Sequence, residues 1–105
     1  MPVIFIYVTV PAESEAHKIA EAIVGERLAA CANIMPGTKS IYHWQGKIEQ
    51  SDETVLILKT TERLYQPAEA RIKELHSAET PCIMAWPMTN GNKDFMQWIL
   101  TETKS

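Results

Sequence analysis

Residues 2–10 form a nearly unbroken apolar, β-branched run that Pro11 closes. Successive side chains of a strand point to opposite faces. Val3, Phe5 and Tyr7 therefore share one face, and Ile4, Ile6 and Val8 the other. The doubling recurs further along, as Val55 and Ile57 against Leu56 and Leu58, then as Met84, Trp86 and Met88 against Ile83 and Ala85. A sheet built from these strands has large apolar side chains on both faces, so covering one face with helices leaves the other still apolar. A few hundred Å² of contiguous apolar surface is already unusual on a monomer. Identical copies closing over it with point symmetry are the simplest cover.

The rest of the chain supplies the elements for such a sheet. Residues 13–28 read as a helix, with Ala16, Ile19, Ala20, Ile23, Val24 and Leu28 at helical spacing and Glu13 and Glu15 in the first turn. A second extended region starts at residues 31–34, is interrupted by Pro36-Gly37, and resumes at residues 40–44. Gln45-Gly46 reads as a tight turn into a third strand over residues 47–59, with Ser51-Asp52 as a second candidate turn. Thr60 or Thr61 is the candidate cap of a helix carrying Leu64, Ala68, Ile72 and Leu75, with Pro67 near its first turn. Pro81 opens a fourth strand over residues 82–88. Asn92 then caps a short helix presenting Phe95, Trp98 and Ile99, with Asp94 in its first turn. The order βαββαβ plus a terminal helix predicts an α+β, ferredoxin-like antiparallel sheet with a long hairpin between its second and third strands.

Composition narrows function by exclusion. The 105 residues make one domain, residues 1–105. Ten basic against 13 acidic residues give a net charge of −3, with no electrostatic pull toward nucleic acid or an anionic membrane. No apolar run approaches the roughly 18 residues of a membrane span. The first eight residues lack the positive segment and cleavage site of a signal peptide, and Cys31 and Cys82 form no C-x-x-C pair. Reduced thiols and a cytoplasmic location are the expectation.

Two segments carry a family signature. Glu26-Arg27-Leu28-Ala29-Ala30-Cys31-Ala32-Asn33-Ile34 precedes Ser40-Ile41-Tyr42-His43-Trp44-Gln45-Gly46-Lys47-Ile48-Glu49, and Ile57-Leu58-Lys59-Thr60 closes the long strand. Over essentially its whole length the chain resembles the CutA family of divalent-cation tolerance proteins. The resemblance implies a ferredoxin-like subunit in a tight homotrimer, its sheets facing the centre and its hairpin reaching a neighbour. It also implies association with copper and other divalent ions, and no enzymatic reaction. The trimer is similar to the nitrogen-signalling PII proteins, so a signalling or scaffolding trimer with an indirect metal role is the alternative.

The metal ligands of copper-binding relatives, a first-strand cysteine and two adjacent histidines, correspond here to Val8, Leu75 and His76. One of three remains, and Val8 rules out a thiolate Cu(I) site at that position. His76 is the candidate metal residue, for a weakly held divalent ion such as Cu(II), with Glu79 or Cys82 as companions; no other cofactor is implied. The competing role for His76 is a helix C-terminal imidazole interacting with the dipole. Tyr42 and Trp44 are candidate interface anchors, with ordinary hairpin packing as the alternative. His43 alternates with them and is read as interface-buried, His17 as solvated and Cys31 as core. Glu49, Asp52 and Glu53 have the oxygens for a hard cation but read as a solvated strand edge.

Two other functions of this architecture fail on their chemistry. A phosphate-binding acylphosphatase loop needs glycine and arginine after the first strand, where this chain has Thr9-Val10-Pro11-Ala12-Glu13. An RNA-binding sheet needs stacking aromatics on a basic surface, whereas the third strand offers Val55-Leu56-Ile57-Leu58 in an acidic chain.

Overall fold

A computed structural model describes residues 2–104. The elements are β1 (Val3–Val10), α1 (Glu13–Gly25), β2 (Cys31–Trp44), β3 (Lys47–Thr61), a 3-10 turn (Glu62–Leu64), α2 (Tyr65–Leu75), β4 (Ile83–Pro87) and α3 (Lys93–Glu102). The four strands form one antiparallel sheet in the order β2-β3-β1-β4, the ferredoxin-like arrangement. Side-chain alternation on β1 sets its two faces. Ile4, Ile6, Val8 and Val10 pack with Leu56 and Leu58 of β3 beneath Ala16, Ile19, Ala20 and Ile23 of α1 and Ala68 and Ile72 of α2.

The terminal helix goes to the opposite side. Ile99 of α3 is fully buried against Val3 and Ala30, flanked by Phe5, Met88 and Met96. The cation of Lys59 lies 5.4 Å from the ring centres of both Phe5 and Phe95, which gives a charged side chain on this apolar face an aromatic partner on each element. The cover is partial. Met35, Met84 and Trp86 remain exposed on that face, at 42%, 66% and 42%.

Several element boundaries differ from the sequence expectation, each for a local reason. Pro36-Gly37 does not interrupt β2. It forms a bulge between Met35↔Val55 and Thr38↔Glu53, absorbed by Gly37 at φ +88°. No turn occurs at Ser51-Asp52, because Ser51 pairs with Ser40 and Asp52 with Lys39. The turn at Gln45-Gly46 does form, both residues having positive φ as a two-residue hairpin turn requires. Helix α1 stops at Gly25 instead of reaching Leu28. Arg27 takes φ +59°, its N–H donates to the carbonyl of Val24, and that of Leu28 donates to Ile23, a Schellman ending. Neither Thr60 nor Thr61 caps through its side chain. Both lie in β3, where the Thr60 hydroxyl donates to the carbonyl of Leu28 at 2.7 Å.

Leu58 sits at the centre of the helix-covered core with no exposure. Leu58→Ala is expected to lower the unfolding free energy by about 2–5 kcal/mol, read from the midpoint of a urea titration.

Candidate functional site

The bulge decides what the hairpin displays. Before it, the β2 residues on the face of Phe5 and Tyr7 are Cys31, Asn33 and Met35, opposite Lys59, Ile57 and Val55. One extra residue inverts the alternation, so Thr38, Ser40, Tyr42 and Trp44 take that face opposite Glu53, Ser51, Glu49 and Lys47. The reverse side carries Lys39, Ile41 and His43 with Asp52, Gln50 and Ile48. Tyr42 and Trp44 are 42% and 48% exposed, and Ile41 and Ile48 about 70%. Within one chain the hairpin is a bare arm with apolar groups on both sides, and His43 is exposed on it.

Where this arm leaves the sheet, a cleft of about 650 Å³ opens. Tyr7 and Thr9 of β1, Tyr42 and Trp44 of the arm, and the segment joining α2 to β4 line it, including His76, Glu79 and Cys82. The sequence candidates thus meet at one place. Of the acidic run, Asp52 and Glu53 border the cleft and Glu49 does not, and Asp52 also forms an ion pair with Lys39 across the hairpin. His17 is exposed beside Glu13 at 3.7 Å. Val8 is fully buried in the helix-covered core.

His76 is held firmly. It follows α2 as its C-cap, with its N–H donating to the carbonyl of Ile72 at 2.8 Å. Its imidazole is 98% buried by the fold, at 2% side-chain exposure. The Ala78 N–H donates to Nδ1 at 3.0 Å, which makes Nδ1 the lone-pair nitrogen and Nε2–H the donor to the Thr9 carbonyl at 2.8 Å. Glu15 of α1 stands 3.7 Å from Nδ1 and accepts from the Ser77 N–H at 2.9 Å and the Ser77 hydroxyl at 2.8 Å. Sequence reasoning assigned Glu15 to the helix dipole and missed this role, since its partner lies 62 positions away with no local signal. Tyr65 titrates above its ordinary range, from burial first and Glu69 second; Arg71 is raised mainly by its hydrogen bond to Glu26. Neither lines the cleft. Among the described residues no three histidine, cysteine, aspartate or glutamate side chains converge as a metal cluster. Also among them, no helix is long and apolar enough to cross a membrane.

Comparison with known proteins was consistent across sequence and structure. A family model described as CutA1 divalent ion tolerance protein matches residues 4–102. A divalent-cation tolerance protein CutA from Thermus thermophilus is 43% identical over 98 residues, covering 93% of this chain and 95% of that protein. A solved Thermus thermophilus structure superposes with a TM-score of 0.95 at 41% identity, covering 97% of this chain and 99% of that one. A structure described as the periplasmic CutA of Archaeoglobus fulgidus gives 0.94 at 40% identity, covering 97% and 99%. The chloroplastic CutA of Arabidopsis thaliana is 38% identical over all 105 residues, and this chain spans 58% of its length.

The two ring bonds of His76 join the end of β1 to the segment after α2. His76→Ala is expected to cost about 2–4 kcal/mol in a denaturant titration, because the Thr9 carbonyl and the Ala78 N–H lose their partner and a cavity opens.

Proposed function

Because the chain belongs to the CutA1 divalent ion tolerance family, we propose that it acts as a homotrimer that binds divalent metal ions of the copper type weakly and catalyses no reaction. One observation carries the assembly. Exposed Met35, Met84 and Trp86 share the sheet face left uncovered by α1 and α2, and Ile41, Tyr42, Trp44 and Ile48 protrude beside it. The sheet also ends in two unlike open edges, β2 and β4. Unlike edges and an off-centre arm favour a head-to-tail contact that closes by rotation, with Tyr42 and Trp44 as anchors on the neighbour.

The divalent ion enters this reading as cargo, with His76 as its in-chain ligand at the cleft. A backbone carbonyl holding Nε2–H is the support a metal-bound imidazole ordinarily has. The bond from Ala78 to Nδ1 favours a second reading, a scaffolding or signalling trimer of PII-like type in which metal acts indirectly. The cytoplasm is the proposed compartment, on the separate free thiols Cys31 and Cys82.

Light scattering is expected to give three times the 11.9 kDa chain mass. Trp44→Ala is expected to lower Tm in a concentration-dependent way; an unchanged mass and Tm would count against the anchoring role. Titration with Cu²⁺, Zn²⁺ and Cd²⁺ separates the two metal readings. Binding lost in His76→Ala supports direct ligation, and weak binding that the substitution leaves unaltered supports scaffolding.

A further inference from the structure

The cleft at the root of the arm carries charges of one sign. Asp52 and Glu53 reach it from β3 and Glu79 from the segment after α2, and none of the described residues lining it is lysine or arginine. Asp52 is paired with Lys39, whereas Glu53 and Glu79 have no ion-pair partner among the described residues. The His76 ring adds no positive charge while Nδ1 accepts from the Ala78 N–H. A cleft whose charges share one sign between low-dielectric walls concentrates ions of the other sign. The same cleft is lined by three aromatic rings, Tyr7 of β1 and Tyr42 and Trp44 of the arm. The bulge brings the two kinds of group together, because it turns Tyr42 and Trp44 to the face that Tyr7 and Glu53 already share. Lys47, opposite Trp44 at the tip of the arm, lies outside the lining. An aromatic face attracts a cation within about 6 Å of its centre, and more strongly once water is excluded, which favours a cation that is easily dehydrated. A space of about 650 Å³ lies in the range of small organic ligands. Among the described residues no three ligating side chains converge as a metal cluster, and charges spread over separate walls suit an ion bulkier than a bare metal.

We propose that this cleft binds a small organic cation of the alkylammonium class, with Tyr7, Tyr42 and Trp44 as its aromatic wall and Glu53 and Glu79 as counter-ions. The site goes beyond the divalent-ion reading and does not draw on it, since neither nitrogen of His76 takes part. The rings meet the N-alkyl groups through dispersion and cation–π attraction, and the carboxylates balance the charge that those groups carry into the cleft. The same carboxylates repel phosphates and other anions, so the site selects by charge before it selects by shape. Tyr42 and Trp44 stand on the arm, and anchoring the arm on a neighbouring copy would hold this wall in place before the cation arrives. A wall ordered in advance costs less to order on binding.

The test titrates the full chain with tetramethylammonium chloride, followed by calorimetry and by the indole N–H resonance of Trp44. One saturable site per chain is expected, with the Trp44 resonance shifted. tert-Butanol, a neutral molecule of similar shape, and sodium chloride at equal concentration are expected to leave that resonance in place. Glu53→Gln and Glu79→Gln are each expected to weaken binding about threefold to tenfold. Trp44→Leu is expected to weaken it by a similar factor, and Trp44→Phe to retain most of it. If Trp44→Leu alters the mass of the assembly, the two carboxylate variants and Trp44→Phe decide. Equal saturation by tert-butanol would remove the role of charge and overturn the inference. Tetramethylammonium binding that neither carboxylate variant weakens would do the same. Absence of binding by the assembled protein would also overturn it, the cleft then being filled by a neighbouring copy, and would leave the trimer and the metal role standing.

Discussion

A sheet whose strands are apolar on both sides must be covered twice, and the rest of the molecule answers to that demand. α1 and α2 meet it on one side, where Ile6, Val8, Leu56 and Leu58 are fully buried. On the other side α3 covers only one end of the sheet, at Val3 and Phe5 of β1 and beside Lys59 of β3. Trp86 tilts against Phe5 and Tyr7 with ring centres 6.3 and 6.1 Å away, which shields part of the remaining surface at the cost of exposing its own ring. Aromatic neighbours of this kind stabilise by about a kcal/mol each. They do not substitute for a second layer.

The hairpin extends the same imbalance outward. The chain measures 44 × 26 × 22 Å, long in one direction because the hairpin ends of β2 and β3, strands of fourteen and fifteen residues, run past the core. An arm of this length with Ile41 and Ile48 on one side and Tyr42 and Trp44 on the other has no hydrophobic reason to stand in water. Its orientation hangs on one glycine. Without the extra residue at Pro36-Gly37 the alternation of β2 would carry through, and Tyr42 and Trp44 would exchange faces with Ile41 and His43.

Much of this was legible in the chain itself, wherever the cause was local. The two-faced strands follow from alternation, the hairpin turn from Gln45-Gly46, and the start of α3 from Asn92, whose side chain accepts from the Phe95 N–H at 2.9 Å. The bulge was visible only as a break, because Pro-Gly inside an extended run reads equally as a loop. The early end of α1 was hidden by Arg27, a residue that rarely takes the left-handed conformation. There the backbone is fixed from a distance: the Arg27 carbonyl accepts from the Lys104 N–H at 2.9 Å, and its guanidinium donates to Glu102 at 3.1 Å. The partners of His76 are of the same kind, 62 and 67 positions from the loop and ring atoms they meet.

That distance explains why His76 supports two readings at once. At the end of a helix, an imidazole with one nitrogen on the β1 carbonyl and the other on the next loop is a structural joint. The same Nε2–H bond that makes it a joint also leaves Nδ1 as the lone-pair nitrogen, which accepts from the Ala78 N–H with Glu15 3.7 Å away. Holding the loop therefore uses the one lone pair the ring has. Val8, sealed in the helix-covered core, offers no help to either. What the fold provides near His76 is a carboxylate from α1, brought there by the packing of α1 and α2 over the sheet, and this tertiary neighbour anchors the loop after the imidazole by accepting from the Ser77 N–H and hydroxyl.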